Sequence, residues 1–146
     1  MPGSLTPSQR PHGAQRILAS TTLVVEALVM VFAALVAHQL SPGTRAPVWT
    51  LALVTAVLLV LTSGMLKKRA WPYAMGALLQ LPLIAMGIWV GAMWAVGLLF
   101  AAIYVYSVLI GRKLDAEKDA VDASYWEAHP EEDPRRADPG LQGRAR

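Results

Sequence analysis

The sequence predicts an all-α polytopic membrane protein, a four-transmembrane-helix bundle with disordered termini. Three features predict it. Apolar residues fall in long blocks and charged residues in short clusters between them, whereas a soluble domain spreads its charge more evenly. Each block can cross about 30 Å of hydrocarbon at about 1.5 Å per residue. Lys and Arg gather at alternate ends of the blocks, the pattern that sets orientation during insertion.

The elements follow in order. Residues 1–15 form an arm in which Pro, Gly, Ser and Gln dominate and no apolar face recurs, so it is expected to be disordered and cytoplasmic. Residues 17–40 make the first span. This run is too long for a signal-peptide core, and no small-residue cleavage site with a soluble domain follows, so it is expected to stay in the mature protein. Ser41-Pro42-Gly43 ends it, because proline cannot continue a helix and glycine tolerates a reversal. After a short loop to Pro47, residues 48–66 form an uncharged second span, closed by Lys67-Lys68-Arg69.

The next apolar stretch, residues 70–111, is interrupted by one strongly polar side chain, Gln80. As a single helix it would be about 60 Å long, twice the hydrocarbon thickness. It must therefore fold back. The turn is expected at residues 90–93, between Trp89 and Trp94, with Gly91 allowing a tight reversal. A third span at 71–90 and a fourth at 93–110 result, with Pro72 in a first turn where its missing N–H costs nothing. The membrane domain thus covers residues 16–111. Residues 112–146 are a charged cytoplasmic tail, helical to about 128, with Leu114, Val121 and Tyr125 at helical spacing. The tail helix either continues the fourth span or lies along the surface. Pro130 ends it, and the charged, Pro- and Gly-rich remainder is expected to be disordered.

Orientation follows from the cations. Arg10, Arg16, Lys67, Lys68, Arg69, Arg112, Lys113 and Lys118 flank one side and only Arg45 the other. Eight against one places both termini in the cytoplasm of a bacterial plasma membrane. Trp49, Trp89 and Trp94 fall at the outer interface and Trp71 and Tyr73 at the inner one, the level that amphipathic rings prefer. Trp126 lies apart from these, in the tail.

Of ten acidic residues, nine follow Leu114 and the tenth, Glu26, stands alone inside the first span. Nine residues past Ile17, it lies about 14 Å deep by helical rise. Gln80, nine residues past Trp71, lies at a similar depth, and Tyr104 lies about 9 Å deep. Thr22 sits one turn from Glu26 on the same face. These four residues are the candidate site, an intramembrane polar layer in which Glu26 meets Gln80 with Tyr104 or Thr22 assisting. The reason is that a lone carboxylate at such depth costs several kcal/mol, about 3 or more, and a protonated or hydrogen-bonded acid much less. No Lys or Arg shares its depth, which argues against a buried salt bridge and for a neutral acid or one that exchanges protons. Glu26 then either fixes helix packing or accepts a proton in transport. Pro82, two residues past Gln80, is expected to kink the third span.

No cofactor or metal is expected. Cysteine is absent, and His12, His38 and His129 are not at ligand spacing. Gly-rich phosphate loops and nucleophile elbows are also missing, so an enzyme is not expected. Cations that flank apolar runs point to membrane orientation and not to nucleic acid. The expected partners are the lipid bilayer and a larger membrane protein or a second copy in a homo-oligomer.

With its spans laid out, the chain resembles a family of small four-helix membrane proteins from high-GC actinobacteria, the domain of unknown function 4233 family. The residues behind the resemblance are Arg16 at the entry, Thr22-Leu23-Val24-Val25-Glu26-Ala27, Gln80, Gly87-Ile88-Trp89 and Trp94. It covers about residues 14–127 and implies no activity. Small multidrug transporters also have four spans and a glutamate in the first, but they work as antiparallel pairs and need nearly balanced flanking charge. The cation bias here departs from that pattern. The function expected is a non-enzymatic accessory or structural membrane component; the alternative is a proton-coupled small-molecule transporter using Glu26.

Overall fold

A computed structural model of the chain describes residues 13–40, 42–66 and 70–131. Most of the N-terminal arm, the Lys67-Lys68-Arg69 cluster and the end of the tail therefore lie outside the described residues. Helix α1 spans Ala14–Leu40, α2 Arg45–Met65, α3 Trp71–Leu78, α4 Gln80–Ala85 and α5 Ala92–Ala128, with 3₁₀ turns at Pro42–Thr44 and Met86–Ile88. Among the described residues there is no strand. Four segments are long and apolar enough to cross a membrane: Ala14–Leu40, Pro42–Met65, Trp71–Ile88 and Ala92–Ala128. The protein is a multi-pass membrane protein of four helical spans.

α1 is the organising helix. Ala19, Leu23, Ala27, Met30, Ala34 and Ala37 recur at helical spacing and are all buried. Most of this stripe is alanine, and small side chains let neighbouring helices come close where lipid gives no hydrophobic drive to associate. α1 packs most extensively on α2 and α5. The opposite faces are apolar and exposed, with Phe32 and Leu35 on α1, Val57 and Leu61 on α2, and Leu98 and Leu99 on α5. A surface of that kind is unfit for water and suits hydrocarbon.

The link from α1 to α2 is tighter than the loop expected up to Pro47. The helix restarts at Arg45, and Pro47 falls within the first turn of α2, where no N–H is required. At this end the Trp49 indole N–H donates to His38 Nδ1 at 3.1 Å, joining α1 to α2.

The third span is broken rather than simply bent. α3 stops at Leu78, Leu79 has ψ near −9°, and α4 begins at Gln80. Pro82 is the physical cause, since it has no N–H to return to the Leu78 carbonyl.

The reversal after this span does not use the freedom of glycine. Gly91 has φ −52° and ψ −34°, an ordinary helical conformation. A 3₁₀ turn at Met86–Ile88 ends the span, and the non-helical bend falls at residues 89–91. There the N–H groups of Trp89 and Val90 both donate to the Met86 carbonyl at 3.1 Å. Tightening to the i→i+3 pattern ends the helix without a left-handed residue.

α5 settles the alternatives for the tail helix. It is one unbroken helix of 37 residues, about 55 Å by helical rise against about 30 Å of hydrocarbon. Gly111 is interior to it, and residues 116–125 are exposed on every side.

Candidate functional site

The buried stripe of α1 carries Glu26 inward between Leu23 and Met30, and all three side chains have no exposed surface. Gln80 opens α4, one residue past the break, and is also buried. Its Nε2 donates to Glu26 Oε2 at 2.8 Å and, more weakly, to the Gly76 carbonyl at 3.4 Å. Both N–H groups of the amide are thus committed, one across the bundle and one within its own span. The remaining oxygens of the pair, Glu26 Oε1 and Gln80 Oε1, are buried and receive no hydrogen bond from the described residues.

The other two candidate residues make bonds of their own. The Tyr104 hydroxyl donates to the Tyr73 carbonyl at 2.9 Å, linking α5 to α3. Its ring end lies against Gly76, where any Cβ would overlap the hydroxyl. The Thr22 hydroxyl donates to the Leu18 carbonyl at 2.9 Å and stands 3.4 Å from Ser107 Oγ. The structure therefore joins Glu26 to Gln80 but gives neither Tyr104 nor Thr22 a hydrogen bond to the acid. A threonine inside a helix finds its own preceding turn first. The long phenol reaches instead toward the first turn of α3, away from the acid. Gly76 is the meeting point, touching Tyr104 through its Cα side and Gln80 through its carbonyl.

A second polar site was not anticipated. Asp115 is buried, although it belongs to the charged part of α5. Its Oδ1 accepts from the Ala14 N–H at 2.6 Å and its Oδ2 from the Gln15 N–H at 3.1 Å. These are two of the four N–H groups that the start of α1 leaves without intrahelical partners. A carboxylate there also meets the positive end of the helix dipole. One sequence signal could have found it: Tyr104, Val108, Gly111 and Asp115 recur at i, i+4, i+7 and i+11, so the inward face of α5 runs on past the apolar block. Asp115→Ala is expected to cost about 1–2 kcal/mol, the upper range for a lost N-terminal cap. Thermal unfolding in detergent reads it, and a midpoint equal to wild type would remove the clasp from this account.

Chemically, the central site holds one acid and one amide. Among the described residues no group of three or more His, Asp or Glu side chains could hold a metal ion. The pair can tie two spans together, or the acid can carry a proton.

A family model described as a protein of unknown function (DUF4233) matches residues 16–120, a stretch that includes Glu26, Gln80, Tyr104 and Asp115. No curated protein and no solved structure matches the chain.

Proposed function

We propose, for a chain that belongs to the DUF4233 family of proteins of unknown function, a non-enzymatic role as an accessory or structural component of a bacterial plasma membrane. Both termini lie in the cytoplasm, and the end of α5 docks on a larger membrane protein or on a second copy of this chain. One observation carries the proposal. α5 runs on as a helix to Ala128, with Glu117, Asp119 and Asp122 exposed beside the apolar Val121 and Tyr125. Holding that helix away from the bundle serves no internal packing, whereas it offers a rigid, acidic and partly apolar rod to a partner. The Glu26–Gln80 bond in this role is a tie between α1 and α4.

Removing residues 117–146 leaves Asp115 and its clasp in place. The shortened protein is expected to fold as before but to lose the association that the full chain keeps under gentle extraction. Recovery of the full chain only as a monomer, in native lipid discs as in detergent, would count decisively against docking.

A second role, proton-coupled transport of a small molecule, is favoured by a different observation. Glu26 Oε1 and Gln80 Oε1 are buried acceptors with no donor from the described residues, and a single proton on the acid supplies one. Glu26→Gln keeps the shape and removes the exchangeable acid. Under this role the variant folds normally but no longer moves protons into liposomes in the presence of substrate. An unchanged proton flux would end the transport proposal and leave the docking proposal standing.

A further inference from the structure

The corner where α1 passes into α2 holds a titratable side chain that neither role above uses. His38 stands just before the end of α1 and Trp49 near the start of α2, with only Ser41 and the 3₁₀ turn Pro42–Thr44 between the two helices. Both rings are half-buried. They meet edge-on, with centroids 6.3 Å apart and planes at 73°. The Trp49 indole N–H reaches His38 Nδ1 at 3.1 Å, and on the exposed side of the same corner Arg45 Nε donates to the His38 carbonyl at 3.5 Å.

An indole can only donate. His38 Nδ1 is therefore the acceptor, and an imidazole accepts only while it is neutral. Once protonated, both of its nitrogens are donors. The bond to Trp49 and a charged His38 thus exclude each other. A charged ring would also stand beside Arg45, a cation at every ordinary pH.

No other side chain at this end competes for the response. From position 27 to position 66, His38 and Arg45 are the only charged or titratable groups, and from position 83 to position 103, which includes the other turn at this end of the bundle, there are none. Glu26 lies about 18 Å away by helical rise. Asp115, bonded to Ala14 at the far end of α1, lies about 36 Å away by the same measure. The corner therefore has one side chain that changes charge near neutral pH, and that side chain is the acceptor of the bond that joins the two helices.

We propose that the His38–Trp49 bond is an acid-opened latch between α1 and α2. Neutral His38 holds the Trp49 ring against the end of α1. A proton on Nδ1 removes the acceptor, frees the ring and loosens the corner. With both termini in the cytoplasm, as proposed above, the latch meets acid on the outer side of the membrane. The bond and its opening do not depend on that orientation, nor on the docking or transport roles.

The test uses the full chain in a mild neutral detergent, with nitrogen-15 in its tryptophan indoles. Nuclear magnetic resonance follows the five indole N–H signals from about pH 8 to about pH 5, the interval in which an ordinary histidine changes charge. Trp49→Phe identifies the signal of interest, and Trp71, Trp89, Trp94 and Trp126 supply the intrinsic exchange rate at each pH. At the alkaline end the Trp49 N–H is expected to exchange with solvent about fivefold more slowly than in His38→Phe, the equilibrium worth of one ordinary hydrogen bond. At the acid end that protection is expected to vanish. His38→Phe, which offers no acceptor, is expected to show an unprotected Trp49 signal throughout, and Arg45→Gln to keep the full response. An unchanged helical circular dichroism spectrum shows that each variant is folded. Protection that survives to the acid end in the unaltered chain would overturn acid opening, whatever the variants do. A response of equal size in folded His38→Phe would overturn His38 as its source, and loss of the response in folded Arg45→Gln would do the same.

Discussion

Gly111→Val is expected to cost about 2–4 kcal/mol, combining overpacking at a helix contact with a lost cap. A Cβ at position 111 would lie 2.7 Å from the Gln15 nitrogen and overlap its Cα. Both are backbone atoms, which cannot rotate away as a side chain can. α1 and α5 must therefore separate along their line of closest approach. Asp115 lies one turn further along α5, and its bonds of 2.6 Å and 3.1 Å to Ala14 and Gln15 cannot survive such a shift. One methyl-bearing carbon thus disturbs packing and capping together. Gly64→Val is the matched control, because nothing lies within 4 Å of a Cβ built there, and it should leave stability unchanged. The measurement is the unfolding midpoint in detergent for both variants. A Gly111→Val protein as stable as the Gly64→Val protein would show that the approach of α1 to α5 is not a close one.

Gln80→Leu is expected to cost about 2 kcal/mol, and the cost should fall sharply when Glu26→Leu is added. The single change removes the donor at 2.8 Å and leaves both Glu26 oxygens buried without a partner. Orphaning a buried polar group costs about 1–3 kcal/mol, whereas replacing both partners by apolar groups can be nearly neutral. An average interhelical hydrogen bond in a membrane contributes only about 0.6 kcal/mol, so desolvation of the stranded acid and not the lost bond sets the size of the effect. The double-variant cycle isolates this coupling. Additive losses from the two single changes would mean that the side chains do not act as a pair. The cycle also reads the packing role of Glu26 separately from proton transfer, because it requires no substrate.

Much of this architecture is legible in one dimension. Four spans follow from block length against bilayer thickness, and the reversal within residues 70–111 from the same comparison. The pairing of Glu26 with Gln80 follows from depth, since two polar side chains nine residues inside their spans, entering from one side, are brought level. An interruption at Pro82 follows from its missing N–H, although it takes the form of a break and not the kink expected. Small residues also announce where helices meet, as Gly76 against Tyr104 and Gly97 against Ile84 illustrate.

What depth cannot supply is rotation about each helix axis and the distance between axes. Tyr104 and Thr22 share the neighbourhood of Glu26, yet their hydroxyls turn to the Tyr73 and Leu18 carbonyls. Gly91 looks like the hinge of the turn, and it does lie in the bend, yet its backbone is ordinarily helical and makes no use of glycine's freedom. Asp115 looks like one more solvated charge, yet it is buried on the start of a helix about a hundred positions earlier in the chain.

By itself the sequence determined the number of spans and the level of each polar side chain. Hydrocarbon penalises every misplaced charge and every unbonded peptide group, and that penalty acts on each segment independently. Only the tertiary structure decided which oxygens found donors and where two backbones could touch. Those outcomes depend on how several helices are turned toward one another at once, a property that no segment holds alone.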